Sequence, residues 1–308
     1  MKALLALAVI ALMGAVRPDA AASREPDFGS YWHDGRAEID GYRITVHRYG
    51  HPRRGRGVMI YVTEPFSSSR HVKLEHASGT GGDAMDVLKL NLVRDFQTGI
   101  YDYHTILSLF VDSRDLSPVK VAFSSSEWCG QVYEQLDVRG SQLSQQVSSY
   151  FEGESSHQTL SIPASGIQED ELFIHLRGLR GPYLRPGERR RVPFLPSPFY
   201  RRLAHRVARW ADATIERLAR PATVVVPAGS FEADVYVVRP GDGRLGRFFV
   251  ERAYPHRVVR WAWNAPAGGL GGTDGGELTG STRLEYWRTH DPGDERYLSR
   301  IGLRAATP

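Results

Sequence analysis

Apolar and polar residues alternate with a period of two through much of the chain, the pattern of strands with one face buried. Ile44 and Val46 share a face over residues 43–47. Leu88, Leu90 and Leu92 do so over 87–93, with Lys89 and Asn91 opposite. Tyr101, Tyr103, Thr105, Leu107, Leu109 and Val111 predict a long strand, Val119, Val121 and Phe123 another, and residues 132–138 a weaker one. Residues 58–62 are apolar on both faces and read as the return strand of a hairpin whose turn is expected at 51–57. Residues 67–84, with four Ser, three Gly and two His, read as a mobile loop.

The middle breaks the alternation. Residues 169–179 open with acids and carry Arg177 near their end, an order that complements a helix dipole, with Leu172, Leu176 and Leu179 on one face. A Pro-rich stretch follows. Residues 200–220 then read as an amphipathic helix stopped by Pro221, with Leu203, Val207, Trp210, Ile215 and Leu218 near one stripe and Arg202, Arg206, Arg209 and Arg217 off it. Strands resume at 231–237, with a turn at 241–243, then at 248–250 and at 257–263, where Val259, Trp261 and Trp263 share a face. Residues 266–280 hold seven Gly and read as a loop, and 283–288 as a last strand.

The predicted fold is mainly β: a strongly curved antiparallel meander, a half-barrel, with a helical insert at about 168–220 covering its concave face. The strand blocks, 38–162 and 222–290, fit either two packed β units or one interrupted sheet. No helix separates the early strands, which argues against parallel crossovers.

Residues 1–22 predict an export signal. Lys2 precedes an apolar run over residues 3–16, too short to span a bilayer, and Ala20, Ala21 and Ala22 supply small residues for cleavage. The expected mature domain is 23–308, periplasmic or secreted. The one cysteine, Cys129, excludes an internal disulfide and a lipid-anchoring cysteine after the signal. The formal charge of +4 is concentrated: residues 177–220 hold twelve Arg, no Lys and three acids, so the rest of the chain is net acidic. That pattern argues against nucleic acid as a partner and for a local contact with something anionic.

Several segments resemble a group of uncharacterised exported bacterial proteins: 32–39 (WHDGRAEI), 61–64 (YVTE), 88–91 (LKLN), 96–101 (FQTGIY) and 127–133 (EWCGQVY). The second half, with 184–187 (LRPG), 228–231 (AGSF) and 254–261 (YPHRVVRW), resembles a related domain of unknown function similar to the curved antiparallel half-barrel of the LolA/LolB lipoprotein carriers. The resemblance covers most of residues 30–290 and implies a fold; it carries no catalytic assignment. The basic helix at 200–220 and the Gly-rich loop at 266–280 stand out as departures from it.

Specific chemistry is sparse. Cys129 beside Glu127 is expected to be a buried small hydrophobe, because a neighbouring carboxylate disfavours the thiolate. His71 and His76, with Glu75 and Asp83, have no metal-ligand spacing, and His33–Asp34 reads as a turn. No GxSxG or phosphate loop occurs. Asp112, Asp115, Glu134 and Asp137 pair as a glycosidase couple only if the fold sets their separation. The expectation is a non-enzymatic carrier of a lipid or other amphiphile, without cofactor or metal. Its site would be formed by Leu203, Arg206, Val207, Arg209, Trp210 and Trp261, and the basic helix would also meet an anionic membrane. A hydrolase with a site near Cys129, or an envelope-assembly protein binding a protein partner, are the alternatives.

Overall fold

The computed structural model describes residues 27–75, 82–264 and 272–304. Residues 1–22, where an export signal is expected, and His76 lie outside them.

A short helix, α1 (Phe28–Trp32), leads into a meander of long strands: β1 (Ala37–Arg48), β2 (His51–Ser67), β3 (Ala84–Thr98), β4 (Tyr101–Asp112), β5 (Pro118–Glu127), β6 (Gly130–Arg139), β7 (Gln142–Ser149) and β8 (Ser156–Ser161). The insert holds β9 (Ile167–Gln168), a 3₁₀ turn (Glu169–Glu171), α2 (Leu172–His175), β10 (Arg189–Leu195) and α3 (Pro198–Leu203). The second block is β11 (Ala211–Arg217), β12 (Ala222–Val226), β13 (Gly229–Pro240), β14 (Leu245–Glu251), β15 (Val258–Asn264) and β16 (Thr273–Leu284), followed by two 3₁₀ segments, Tyr286–Arg288 and Asp294–Ile301.

All sixteen strands join one sheet in the order β8-β7-β6-β5-β4-β3-β2-β1-β16-β15-β14-β13-β11-β10-β9, with β12 beside β13. The two blocks are thus one sheet, sewn by β1 against β16. All pairs are antiparallel except β9 with β10. The ends, β8 and β9, do not pair with each other among the described residues, so the barrel stays open. The alternating positions of β1, β3, β4 and β15 enter one large core together with Leu172, Phe173 and Phe199 of the insert. A second core lies on the other side of the sheet, where Ile39 and Val62 pack against Ile301.

The structure corrects the sequence reading where Gly and Arg misled it. Residues 51–57 are strand; the turn is Tyr49-Gly50, both at positive φ. Gly55 is there for packing, since a Cβ would sit 2.2 Å from the Asp95 carbonyl oxygen. Much of the Gly-rich 266–280 segment is likewise strand β16. The Trp261 ring lies on Gly276, where a Cβ would come within 2.2 Å of it; residues 265–271 lie outside the description. The last strand ends at Leu284.

The amphipathic helix expected at 200–220 stops at Leu203. Residues 211–217 form β11, because Ala213 and Ile215 enter the core and both edges of the strand find ladder partners, β10 and β13. That tertiary gain outweighs a marginal helix propensity. The helix expected at 169–179 is shortened to α2 and ends before Gly178 at φ 66°.

The C-terminal segment rests on a glycine floor. A Cβ on Gly41 would lie 2.1 Å from the Ile301 carbonyl oxygen, and one on Gly280 2.7 Å from that of Arg300. Gly41→Ala is therefore expected to lift residues 286–303 off the sheet while the barrel stays folded. Trypsin should then cut at Arg288, Arg296 or Arg300 at least tenfold faster than in wild type, and an unchanged cutting rate would refute this docking.

Candidate functional site

The concave face is filled, not hollow. Phe173 of α2 packs edge-on against Phe248 and Trp261, at ring-centroid distances of 5.5 and 5.3 Å. The Tyr61 hydroxyl donates to the Phe173 carbonyl at 3.1 Å. Four buried ion pairs then fasten the insert to the sheet: Arg177–Glu38 at 2.8 Å, Arg201–Glu134 at 2.5 Å, Arg202–Glu127 at 2.6 Å and Arg244–Glu169 at 2.7 Å. Arg48 donates to the carbonyl of Leu203 at the end of α3. Separating either member of such a pair leaves a bare buried charge, at about 3–5 kcal/mol each. These contacts seat the insert as a plug in the curve of the sheet.

Between plug and sheet a cavity of about 180 Å³ remains. It is smaller than the ~300 Å³ at which drug-sized ligands are enclosed. Ile44 and Val46 of β1, Phe173, Phe199 and the indoles of Trp261 and Trp263 wall it. Its polar lining is unusual. Arg94 on β3 is buried, stacked 4.2 Å above the Phe199 ring, and its Nη1 has no hydrogen-bond partner among the described residues. Burial lowers its pKa to about 10. Asp170 is buried opposite; its Oδ1 accepts from the Ser197 hydroxyl at 3.0 Å while Oδ2 is unpartnered among the described residues. Burial, reinforced by Glu169, pushes Asp170 up to about 7. His47 Nδ1 is a third buried atom without a partner among the described residues, and burial raises Asp274 beside it. Arg244 is satisfied: burial alone would lower its pKa, but Glu169 and Asp242 outweigh it and raise it.

An acid whose pKa is higher in the fold than in the unfolded chain binds its proton more tightly when folded. Stability on its account is highest below about pH 4 and declines until pH 7. Asp170→Asn should remove that share of the decline. Urea melts at pH 4.5 and 7.5 should show a smaller loss across the interval for the variant than for wild type; equal losses would contradict a neutral buried Asp170.

Of the residues expected to bind ligand, Leu203, Arg206 and Trp261 border this cavity. Val207 and Arg209 are exposed on the segment after α3, outside it. Trp210 packs over Gly166. Arg94, Asp170 and His47 escaped the sequence reading; a charged residue at an inward position of β3, in phase with Leu88, Leu90 and Leu92, was the available signal.

Cys129 contradicts its expectation. It is exposed, in the two-residue turn between β5 and β6, because that turn projects from the sheet's end. His205 lines the same hollow, with its Nδ1 on Glu154 at 2.6 Å, and no hydrogen bond joins its ring to the Cys129 thiol among the described residues. His33 bonds Asp86, and Asp34 is held by Arg36 and Arg283. His71 pairs with Asp137, Glu134 with Arg201, and Asp112 with Arg114, which commits three of the four acids considered as a glycosidase couple to ion pairs. No group of three metal-ligating side chains gathers among the described residues.

No family model matches the chain. No curated protein matches it. Among solved structures it is similar to a "beta-barrel-like protein of domain of unknown function DUF1849" from Brucella abortus, at 10% identity and a TM-score of 0.46, over 81% of this chain and 98% of that one.

Proposed function

We propose that this chain is an exported, non-enzymatic binding protein for a small amphiphile. An acidic head would meet Arg94 and a short apolar body would lie against Phe173, Phe199 and Trp261. The observation that carries the reading is the Nη1 of a buried arginine, unpartnered among the described residues and facing an aromatic-walled cavity. A buried guanidinium is destabilising unless satisfied, and a carboxylate or similar acceptor satisfies it with a charge-assisted hydrogen bond of about 1.5–3 kcal/mol. The cavity's size limits the apolar part to a few carbons, well short of a lipoprotein's acyl chains. The carrier resemblance of the sequence and this reading agree that binding takes place inside the curve. The apolar run at residues 3–16 supports export.

The test is a thermal-shift series with butyrate, hexanoate and the matching alcohols. The acids should raise the melting temperature of wild type, the alcohols should not, and Arg94→Met should abolish the effect. Arg94→Met alone should leave stability unchanged or raise it by about 1–3 kcal/mol, as removal of a poorly paired buried charge does. Wild type indifferent to millimolar carboxylates, or a variant that still responds, would refute the proposal; buried water then satisfies Arg94.

A further inference from the structure

Among the described residues, five of the six most exposed large hydrophobic side chains lie on one rim of the open barrel: Ile100 (78%), Val207 (74%), Trp128 (69%), Tyr150 (69%) and Tyr49 (53%). The meander places them there. Tyr49 tips the β1–β2 hairpin, Ile100 the β3–β4 hairpin and Trp128 the β5–β6 hairpin, while Tyr150 follows β7. These are the alternate turns of an antiparallel sheet, so they share one end. Tyr150 is braced on Gly130, beside the Trp128 turn. Val207 reaches the same end on the segment between α3 and β11. The described residues of the opposite turns of the meander, between β2 and β3, β4 and β5, and β6 and β7, include one exposed large hydrophobe, Val72.

Charge on the rim is cationic. Arg54, Arg206 and Arg209 are exposed there, and none makes an ion pair among the described residues; the exposed acids at that end are Asp102, Glu152 and Asp212, the last already paired with Arg191. Adjacent hairpin tips stand two strands apart, about 10 Å. A stable protein interface needs a contiguous, dry apolar core, which separated tips do not provide. Single aromatic and aliphatic side chains on projecting turns, with unpaired arginines between them, match the interfacial layer of a membrane. There Trp and Tyr settle at headgroup depth and Arg meets phosphate.

We propose that this rim docks the protein on an anionic lipid bilayer through the hairpin tips, not through an amphipathic helix. Val207, Arg206 and Arg209 take part as members of the rim. The rim meets the cavity at Arg206, but Arg94 lies inside and is no part of the rim, so Arg94→Met should bind vesicles as wild type does, whatever the cavity holds.

The experiment is flotation of the purified chain with phosphatidylcholine vesicles, with and without 30% phosphatidylglycerol, at low and high salt. Wild type should float with the anionic vesicles and less so at high salt. The double variant Ile100→Ser/Trp128→Ser should bind at least tenfold more weakly at an unchanged melting temperature. Arg206→Gln/Arg209→Gln should lose the preference for anionic lipid, and Val225→Ser, exposed elsewhere, should bind normally. All variants share the same N-terminus, so differences between them belong to the rim. The proposal fails if wild type floats with neither vesicle or if Ile100→Ser/Trp128→Ser floats as well as wild type. It also fails if wild type is a dimer by light scattering that this variant renders monomeric, which would assign the rim to a second copy of the chain.

Discussion

Arg177→Met is expected to destabilise the fold by about 3–5 kcal/mol, close to the whole stability of many domains. Arg177 and Glu38 are both fully buried, 2.8 Å apart, and Asp40 is fully buried beside them. The guanidinium also donates to the carbonyls of His256 and Pro255, at 3.1 and 2.9 Å, and lies 4.3 Å over the Tyr61 ring. Burial alone would lower its pKa; Glu38, Tyr61 and Asp40 more than reverse that. Burial and then the Glu38 charge already hold Asp40 well above the ordinary carboxylate range. Without the arginine, two carboxyls share a dry site with less positive charge to oppose them. The fold then keeps the Asp40 proton to higher pH than the unfolded chain does. The variant's deficit should therefore shrink as pH falls from 8 to 5. Urea denaturation at both values measures it, and Glu38→Gln in the same chain should restore part of the loss. A deficit under about 1 kcal/mol at pH 8 would show that the cluster is not what fixes the plug to β1.

Trp261→Ala should cost about 3–5 kcal/mol as well, by a different mechanism. The indole stands on Gly276, touches Tyr42 at 4.9 Å and Phe173 at 5.3 Å between ring centroids, and forms a wall of the cavity. Removing it deletes a large apolar contact and enlarges a void that the ladder pairs of β15 with β14 and β16 cannot close. Gly276 tests the geometry. Gly276→Ala in wild type puts a methyl into the ring and should destabilise, whereas in the Trp261→Ala background that methyl enters the space vacated. The two substitutions should be non-additive by at least 1 kcal/mol in denaturation midpoints. Additivity would mean that ring and glycine are not in contact.

The strands were legible because a half-buried strand writes its own period. Leu88, Leu90 and Leu92, or Val259, Trp261 and Trp263, can satisfy one face and no other arrangement. The misreadings cluster where a residue has two physical uses. Gly55 and Gly276 are read locally as turn or loop formers, and in the fold they are clearances for a carbonyl and an indole. The arginines of 177–220 are read as a local contact with something anionic outside the chain. In the fold Arg177, Arg201 and Arg202 are buried against Glu38, Glu134 and Glu127, each distant in the chain. Periodicity over 200–220 fits helix and strand alike until the ladder to β13 exists.

The amino-acid order alone determined the class of the fold: an antiparallel curved sheet with an interrupting insert, because alternation and turn chemistry act within a few residues. It also determined that no disulfide could hold the domain, since there is one cysteine. Tertiary structure decided which charges are inside, what the insert covers, and that the apolar tips share a rim. Each of these depends on residues that meet only after the sheet has bent: Glu169 with Arg244, Arg94 with Phe199, Tyr49 level with Trp128. A buried charge is tolerable only beside its partner, and that partner is chosen by the curvature of the whole sheet, not by local sequence.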